Sequence, residues 1–197
     1  MTRGIGSIGV FCGSSPGRRP AFADGAAQLG RELAERDITL VYGGARVGLM
    51  GVLADATLEA GGAVVGVITE ALVAREVAHT GLTELIVVKS MHERKAHMAD
   101  RSGAFIMLPG GFGTLDEFFE AVTWTQLGIH DKPCGVLDVA AFFQPLSAFF
   151  QTLVAERFVD PDHAQMVVVE ADIGHLLDRL ESWQPIPVDK RLDRVDR

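Results

Sequence analysis

Short, unbroken apolar runs alternate along this chain with longer segments of helical period. The runs fall at residues 8–12, 38–42, 63–68, 85–88, 104–108, 134–137 and 166–169. Each is bounded by Gly, Ser, Pro or charge, the pattern of parallel strands buried on both faces. Between them lie amphipathic stretches, such as 21–36 with Phe22, Ala26, Leu29 and Leu33 on one stripe. Further helices are expected at 49–60 (stopped by Gly61-Gly62), 91–101, 114–127, 141–156 and 173–183. Ser90-x-x-Glu93 supplies a capping box for the third of these six. Residues 69–83 follow neither period and carry two acids, an Arg and a His, which predicts a loop over a site with room for a turn of helix. Strands alternating with helices specify an α/β fold, a doubly wound parallel sheet of about seven strands flanked by helices. One domain is expected over 1–183, followed by a loose, mostly charged tail at 184–197.

Ligands of such sheets bind beyond the carboxyl ends of the strands. Three glycine- or serine-rich loops fall there, 13–17 (with Gly13 and Ser14), 43–48 and 110–113, and are expected to share one crevice. The densest stretch is 104–120, AFIMLPGGFGTLDEFFE. Pro109 has no N–H to give to a ladder and ends the strand. Gly110, Gly111 and Gly113 then leave backbone N–H groups uncovered at a helix start. Thr114 reads as the N-cap, and Thr114-x-x-Glu117 as a capping box. Such a strand, glycine turn and helix start form an anion site, read here as a phosphate site.

Composition narrows the partners. A chain of 197 residues with 48% hydrophobic and 22% charged residues is globular, and its net charge of −8 offers no basic surplus for nucleic acid. No apolar run approaches the roughly 18 residues of a membrane span. Cys12 and Cys134 both lie in apolar, strand-like runs and the N-terminus lacks a signal-peptide pattern, so reduced core thiols and a cytoplasmic location are expected.

Several chemistries fail on spacing. The first loop is not G-x-G-x-x-G and the second strand ends Val41-Tyr42-Gly43 without a carboxylate for a ribose diol, which argues against NAD. Gly113-Thr114 lacks the lysine of a triphosphate loop. His92 and His97 stand five apart, about 140° around a helix, and cannot share a metal. No metal or cofactor is expected. A single phosphate, as in a nucleoside monophosphate or sugar phosphate, remains. Arg94 and Lys95 sit early in their helix, where the dipole disfavours cations, and read as anion ligands or as plain surface charge. Glu117 reads as a cap, or as the negative group that an oxocarbenium-like glycosidic transition state wants.

Met91-x-x-Arg94-Lys95 followed by Pro109-Gly110-Gly111-x-Gly113-Thr114-x-x-Glu117 resembles the LONELY GUY family. These are cytokinin riboside 5′-monophosphate phosphoribohydrolases, often mislabelled lysine decarboxylases. The likeness runs from about Ile8 to Val169 and includes Phe11-Cys12-Gly13-Ser14-Ser15, Gly48-Leu49-Met50-Gly51 and Thr123-Trp124-x-Gln126-Leu127-Gly128. Ala45 stands where many members have glycine, and Asp116 where Glu is common. The resemblance implies a Rossmann-like homodimer that hydrolyses the N-glycosidic bond of adenine-type nucleoside 5′-monophosphates. It places substrate contacts on Glu76, Arg94, Lys95, Gly111, Phe112, Gly113, Thr114, Leu115, Asp116, Glu117 and Thr123, with Arg94 and Glu117 as the catalytic pair. Trp124 and Leu127, beyond what one core stripe uses, are the candidate dimer contacts. A decarboxylase would need a Schiff-base lysine, and Lys89, Lys95, Lys132 and Lys190 lie in no recognisable cofactor motif. The rival class is a non-catalytic nucleotide or molybdenum-cofactor carrier of the same fold.

Overall fold

The computed structural model describes residues 4–75 and 77–185. Seven parallel strands form one sheet in the order β4-β3-β2-β1-β5-β6-β7 among the described residues. They are β1 (Ser7–Phe11), β2 (Thr39–Tyr42), β3 (Val64–Thr69), β4 (Glu84–Val88), β5 (Ala104–Met107), β6 (Cys134–Leu137) and β7 (Val167–Glu170). Every strand falls on an apolar run of the sequence, with ends shifted by at most one residue. The chain winds outward from β1 to β4, returns to pair β5 with β1, and winds out the other way. The order reverses between β1 and β5, so the segments that leave their carboxyl ends run to opposite faces of the sheet and open a crevice.

Helices cover both faces. Alternate side chains of β1 and the residue after it divide between two cores: Ile8, Val10 and Cys12 face one, and Phe11 the other. The first core takes α1 (Pro20–Glu35) and α2 (Gly48–Glu59) through Leu29, Leu33, Leu49 and Leu53, all essentially sealed from solvent. At roughly 25 cal/mol per Å² of apolar surface, each such leucine contributes about 2 kcal/mol over leaving it exposed. The second core takes α4 (Met91–Arg101) and α5 (Phe112–Gln126) through Met98, Phe118 and Ala121. The expected loop over 69–83 contains one helical turn, α3 (Glu70–Val73), and an antiparallel bridge between Ala45 and Ala78. Helices α6 (Gln144–Ala155), α7 (Pro161–Ala164) and α8 (Ile173–Ser182) complete the described chain. The predicted helix 141–156 begins later than expected. A 3-10 turn at Val139–Ala141 precedes it, with Ala140 and Ala141 at φ of 52° and 60°. The short α7 had no sequence signal longer than its Asp160-Pro161 start.

Cys12 and Cys134 are buried, and burial pushes the Cys134 thiol up to about 12. No helix among the described residues is long and apolar enough to cross a membrane. The expected loose tail, apart from 184 and 185, lies outside the described residues, as does Glu76.

Candidate active site at the sheet's switch point

Gly13 ties the three loops together. Its N–H donates to the Pro109 carbonyl at 3.0 Å, and its own carbonyl accepts the Leu49 N–H at 3.0 Å. Gly48, at φ +60°, lies so close to the Ser14 carbonyl that no side chain fits between the first and second loops. A cleft of about 290 Å³ opens here, lined by Gly13, Ser14, Gly110, Gly111, Phe22 and Phe142. Loops 13–17, 43–48 and 110–113 therefore meet, as the alternation of strands and helices predicts.

The start of α5 differs from the sequence reading. Thr114 is not the N-cap. Gly111 is, in extended conformation and without a side-chain cap bond, and the helix begins at Phe112. Thr114 is instead the third helical residue, buried, with Oγ1 packed so tightly over Gly110 that a Cβ there would collide with it. Two glycines in succession let the chain turn into the helix before the threonine is reached. The first-turn N–H groups thus have no intrahelical acceptor and no side-chain cap. A Cβ on Gly111 or Gly113 would meet nothing within 4 Å. Phe112, between them, is 92% exposed.

Glu117 is not a cap either. It lies four residues after Gly113, on the same helix face and about 6 Å further along. Its Oε1 accepts from Nη1 of Arg94 on α4, and the two side chains are 14% and 7% exposed. Arg94 is held from other sides as well. Nε donates to the Val67 carbonyl at 2.9 Å, Nη1 approaches Met91 Sδ at 3.4 Å, and Nη2 fills the space where Gly43 lacks a Cβ. Ser90 caps α4 by accepting the Glu93 N–H at 3.1 Å. The Glu93 carboxylate accepts from Lys89 N at 2.9 Å, one residue before the box position.

Lys95 turns beside this pair to Asp116 (2.8 Å) and Glu120 (3.3 Å), clamping α4 to α5. Leu115 packs into the second core, so only its backbone can face a ligand. Thr123 stands elsewhere: its hydroxyl bonds back to the Phe119 carbonyl at 2.7 Å and it lines a separate apolar cavity of about 150 Å³ with Phe150 and Leu153. Trp124 packs against the second core and edge-on to His130, while Leu127 and Ile129 are 55% and 64% exposed. His92 and His97 are both exposed, and no group of three His, Cys, Asp or Glu able to hold a metal occurs among the described residues. Sequence reasoning missed two parts of the site. Gly43 could have been suspected, as the first of two glycines at a strand end. The Val67 carbonyl could not, because a backbone acceptor leaves no mark in residue identity.

Arg94, Glu117 and the bare start of α5 can together hold a phosphate and present a carboxylate one helical turn away. A family model described as "Possible lysine decarboxylase" matches residues 50–180. A probable cytokinin riboside 5′-monophosphate phosphoribohydrolase of Oryza sativa subsp. japonica is 49% identical over 179 residues, covering 91% of this chain and 80% of that one. A cytokinin riboside 5′-monophosphate phosphoribohydrolase of Arabidopsis thaliana is 46% identical over 178 residues, covering 90% of this chain and 82% of that one. The chain belongs to this phosphoribohydrolase family. Among solved structures, a molybdenum cofactor carrier protein from Chlamydomonas reinhardtii superposes with a TM-score of 0.67 at 21% identity, over 89% of this chain and 96% of that one. At that identity the likeness is one of fold. Relatives close in sequence carry the hydrolase name, and the molybdenum cofactor carrier is similar in fold alone.

Proposed function

We propose that this protein hydrolyses the N-glycosidic bond of adenine-type nucleoside 5′-monophosphates, cytokinin nucleotides included. The products are the free base and ribose 5-phosphate. The observation that carries the reading is the Arg94–Glu117 ion pair one helical turn beyond a helix start whose N–H groups are uncapped.

In this reading the phosphate sits on the N–H groups at 111–113, favoured by the positive end of the α5 dipole. Gly13 and Ser14 line the same cleft. One turn of α5 then separates the phosphate from Glu117, about the distance from a 5′-phosphorus to C1′ of a ribose. As the C1′–N bond breaks, positive charge develops on the sugar, and the Glu117 carboxylate stabilises it and orients the attacking water. Water adds to C1′, the C1′–N bond pair leaves with the base, and the proton that the water loses ends on the base nitrogen. Arg94, anchored on Val67 and Gly43, keeps the carboxylate aimed. Glu76, Lys95, Phe112, Thr114, Asp116 and Thr123 are assigned substrate contacts by family likeness, and Leu115 through its backbone. Thr123 faces away from the pair within one chain. A homodimer in which a second copy covers the exposed Leu127, Ile129 and Phe149 fits the exposure of these side chains. A cytoplasmic location fits the two buried free thiols.

The test is release of free base from AMP, a prenylated AMP and adenosine under one assay. Base release from the monophosphates and little from adenosine is expected. Equal turnover of AMP and adenosine would sink the phosphate assignment. A carrier without turnover, the rival class, would bind AMP and release no adenine. Light scattering at micromolar concentration checks the dimer, and a monomer mass would remove it.

A further inference from the structure

Asp55 and His79 lie outside the anion cleft, yet they join two segments that flank it. Residues 77–79 run antiparallel to 44–46. Arg46 N donates to the Val77 carbonyl at 2.8 Å, His79 N donates to the Gly44 carbonyl at 2.9 Å, and Ala45 bridges Ala78. Two backbone bonds with no ladder on either side are weak restraint, since net gain is about 1 kcal/mol per bond. The His79 side chain adds a third tie. Its Nδ1 accepts the Gly81 N–H at 3.1 Å, which leaves the ring proton on Nε2, facing Asp55 Oδ1 at 2.9 Å. His79 is 13% exposed and Asp55 61%. Asp55 stands on α2, which Leu49, Leu53 and Ala54 root in the first core. The strap 77–81 is thereby fastened to a rigid helix.

The turn it holds has the catalytic guanidinium on its other side. Gly44 packs over Ile68 and Leu85, and Gly43 packs against Arg94 Nη2. Residues 43–46 are thus pressed between the strap and Arg94.

We propose that the His79–Asp55 hydrogen bond is a positioning device for catalysis. It docks the strap on the turn after β2, which keeps Gly43 against Arg94 and so aligns Glu117. The proposal rests on the reading of Arg94 and Glu117 as the reacting pair. His79 and Asp55 touch no substrate in it. Small misplacements of a reacting group made from a distance cost one to two powers of ten in rate. The N–H groups at 111–113, where the phosphate is read, lie outside the linkage, so substrate affinity should change less than rate.

The experiment compares His79→Ala, Asp55→Ala, the double variant and His79→Gln with the parent protein. Expected is a kcat for adenine release from AMP lowered about tenfold in each alanine variant, with KM changed less than about threefold. The double variant should be no worse than the singles, because both remove one bond. His79→Gln should recover most of the rate, since its amide N–H can still donate to Asp55. Amide hydrogen exchange at Arg46 and His79 should quicken in the alanine variants. A lowered melting point with unchanged kcat would overturn the proposal, because a purely structural bond behaves that way. Unchanged amide protection in Asp55→Ala, a variant at an exposed position that the fold tolerates, would overturn it whatever the rates. Should the parent release no adenine, the catalytic reading fails, and faster exchange in that variant still upholds the docking of the strap.

Discussion

Arg94 and Glu117, 23 residues apart in the chain, form an ion pair across the contact of α4 with α5, with 7% and 14% of their side chains exposed. Burying two charges costs several kcal/mol per ion before their attraction and hydrogen bonds offset it. The Val67 carbonyl supplies one of the further bonds that the guanidinium needs. The pair is weak evidence for stability and strong evidence for a placed carboxylate.

Glu117→Gln should separate those roles. The amide keeps the size and still accepts from Arg94, so folding should lose about 1–3 kcal/mol. The negative charge is gone, so turnover of AMP should fall on the order of 100-fold, about 3 kcal/mol of barrier. Titration with AMP should show near-normal affinity, since the N–H groups at 111–113 are untouched. Near-normal turnover with a lowered melting point would leave Glu117 as a structural partner of Arg94 alone.

Gly43→Ala should reach the same pair from behind. The new Cβ would collide with Arg94 Nη2, the far end of a flexible side chain, and Gly43 is not among the residues with positive φ. The fold can yield by moving the guanidinium. Turnover should drop at least about tenfold, with the melting temperature within a few degrees of the parent. A collapse of stability instead would show that Arg94 cannot move.

Gly113→Ala should part stability from affinity in the opposite sense. No protein atom lies within 4 Å of the added Cβ and the residue is already helical. Helix propensity then favours alanine by up to about 1 kcal/mol. The methyl group enters the space assigned to the phosphate, so AMP affinity should weaken about tenfold, or 1.4 kcal/mol. Calorimetry with AMP and a thermal melt measure both. Unchanged affinity would move the phosphate elsewhere.

His130 gives the fold a defined response to acid. Its Nδ1 accepts the Lys132 N–H at 3.3 Å, while Nε2 is buried with no hydrogen-bond partner. Burial first, and the Lys132 charge second, lower its pKa below the ordinary value of 6.5. The unfolded chain therefore binds a proton at higher pH than the folded one. The associated stability is full above about 6.5 and is lost as pH falls below it toward the lowered value. Melting temperature should fall as pH drops below about 6.5, and His130→Asn, which keeps an acceptor near Nδ1, should flatten that part of the profile. An unchanged slope in the variant would assign the acid response to other groups.

The strands, their parallel pairing and the meeting of three loops at one crevice were legible in the chain, because a period of apolar runs between helical stripes is a local property. So was the tight turn into α5, since two glycines followed by a glycine and a threonine restrict what backbone can do there. Pairing across the fold was not legible. Glu117 and Thr114 satisfy the local rule for a capping box, and nothing within four residues reveals that Arg94 stands across from Glu117. The buried guanidinium won because a carboxylate near an unpaired charge in low dielectric gains more from it than from one backbone N–H. Trp124 likewise looked surplus to one helix stripe, yet the sheet and residue 130 gave it a second surface to pack on. Sequence alone determined which segments fold and where a helix starts with its N–H groups uncapped. Tertiary structure decided which charges face each other, because a backbone carbonyl at Val67 and an absent side chain at Gly43 act through space and leave no local pattern.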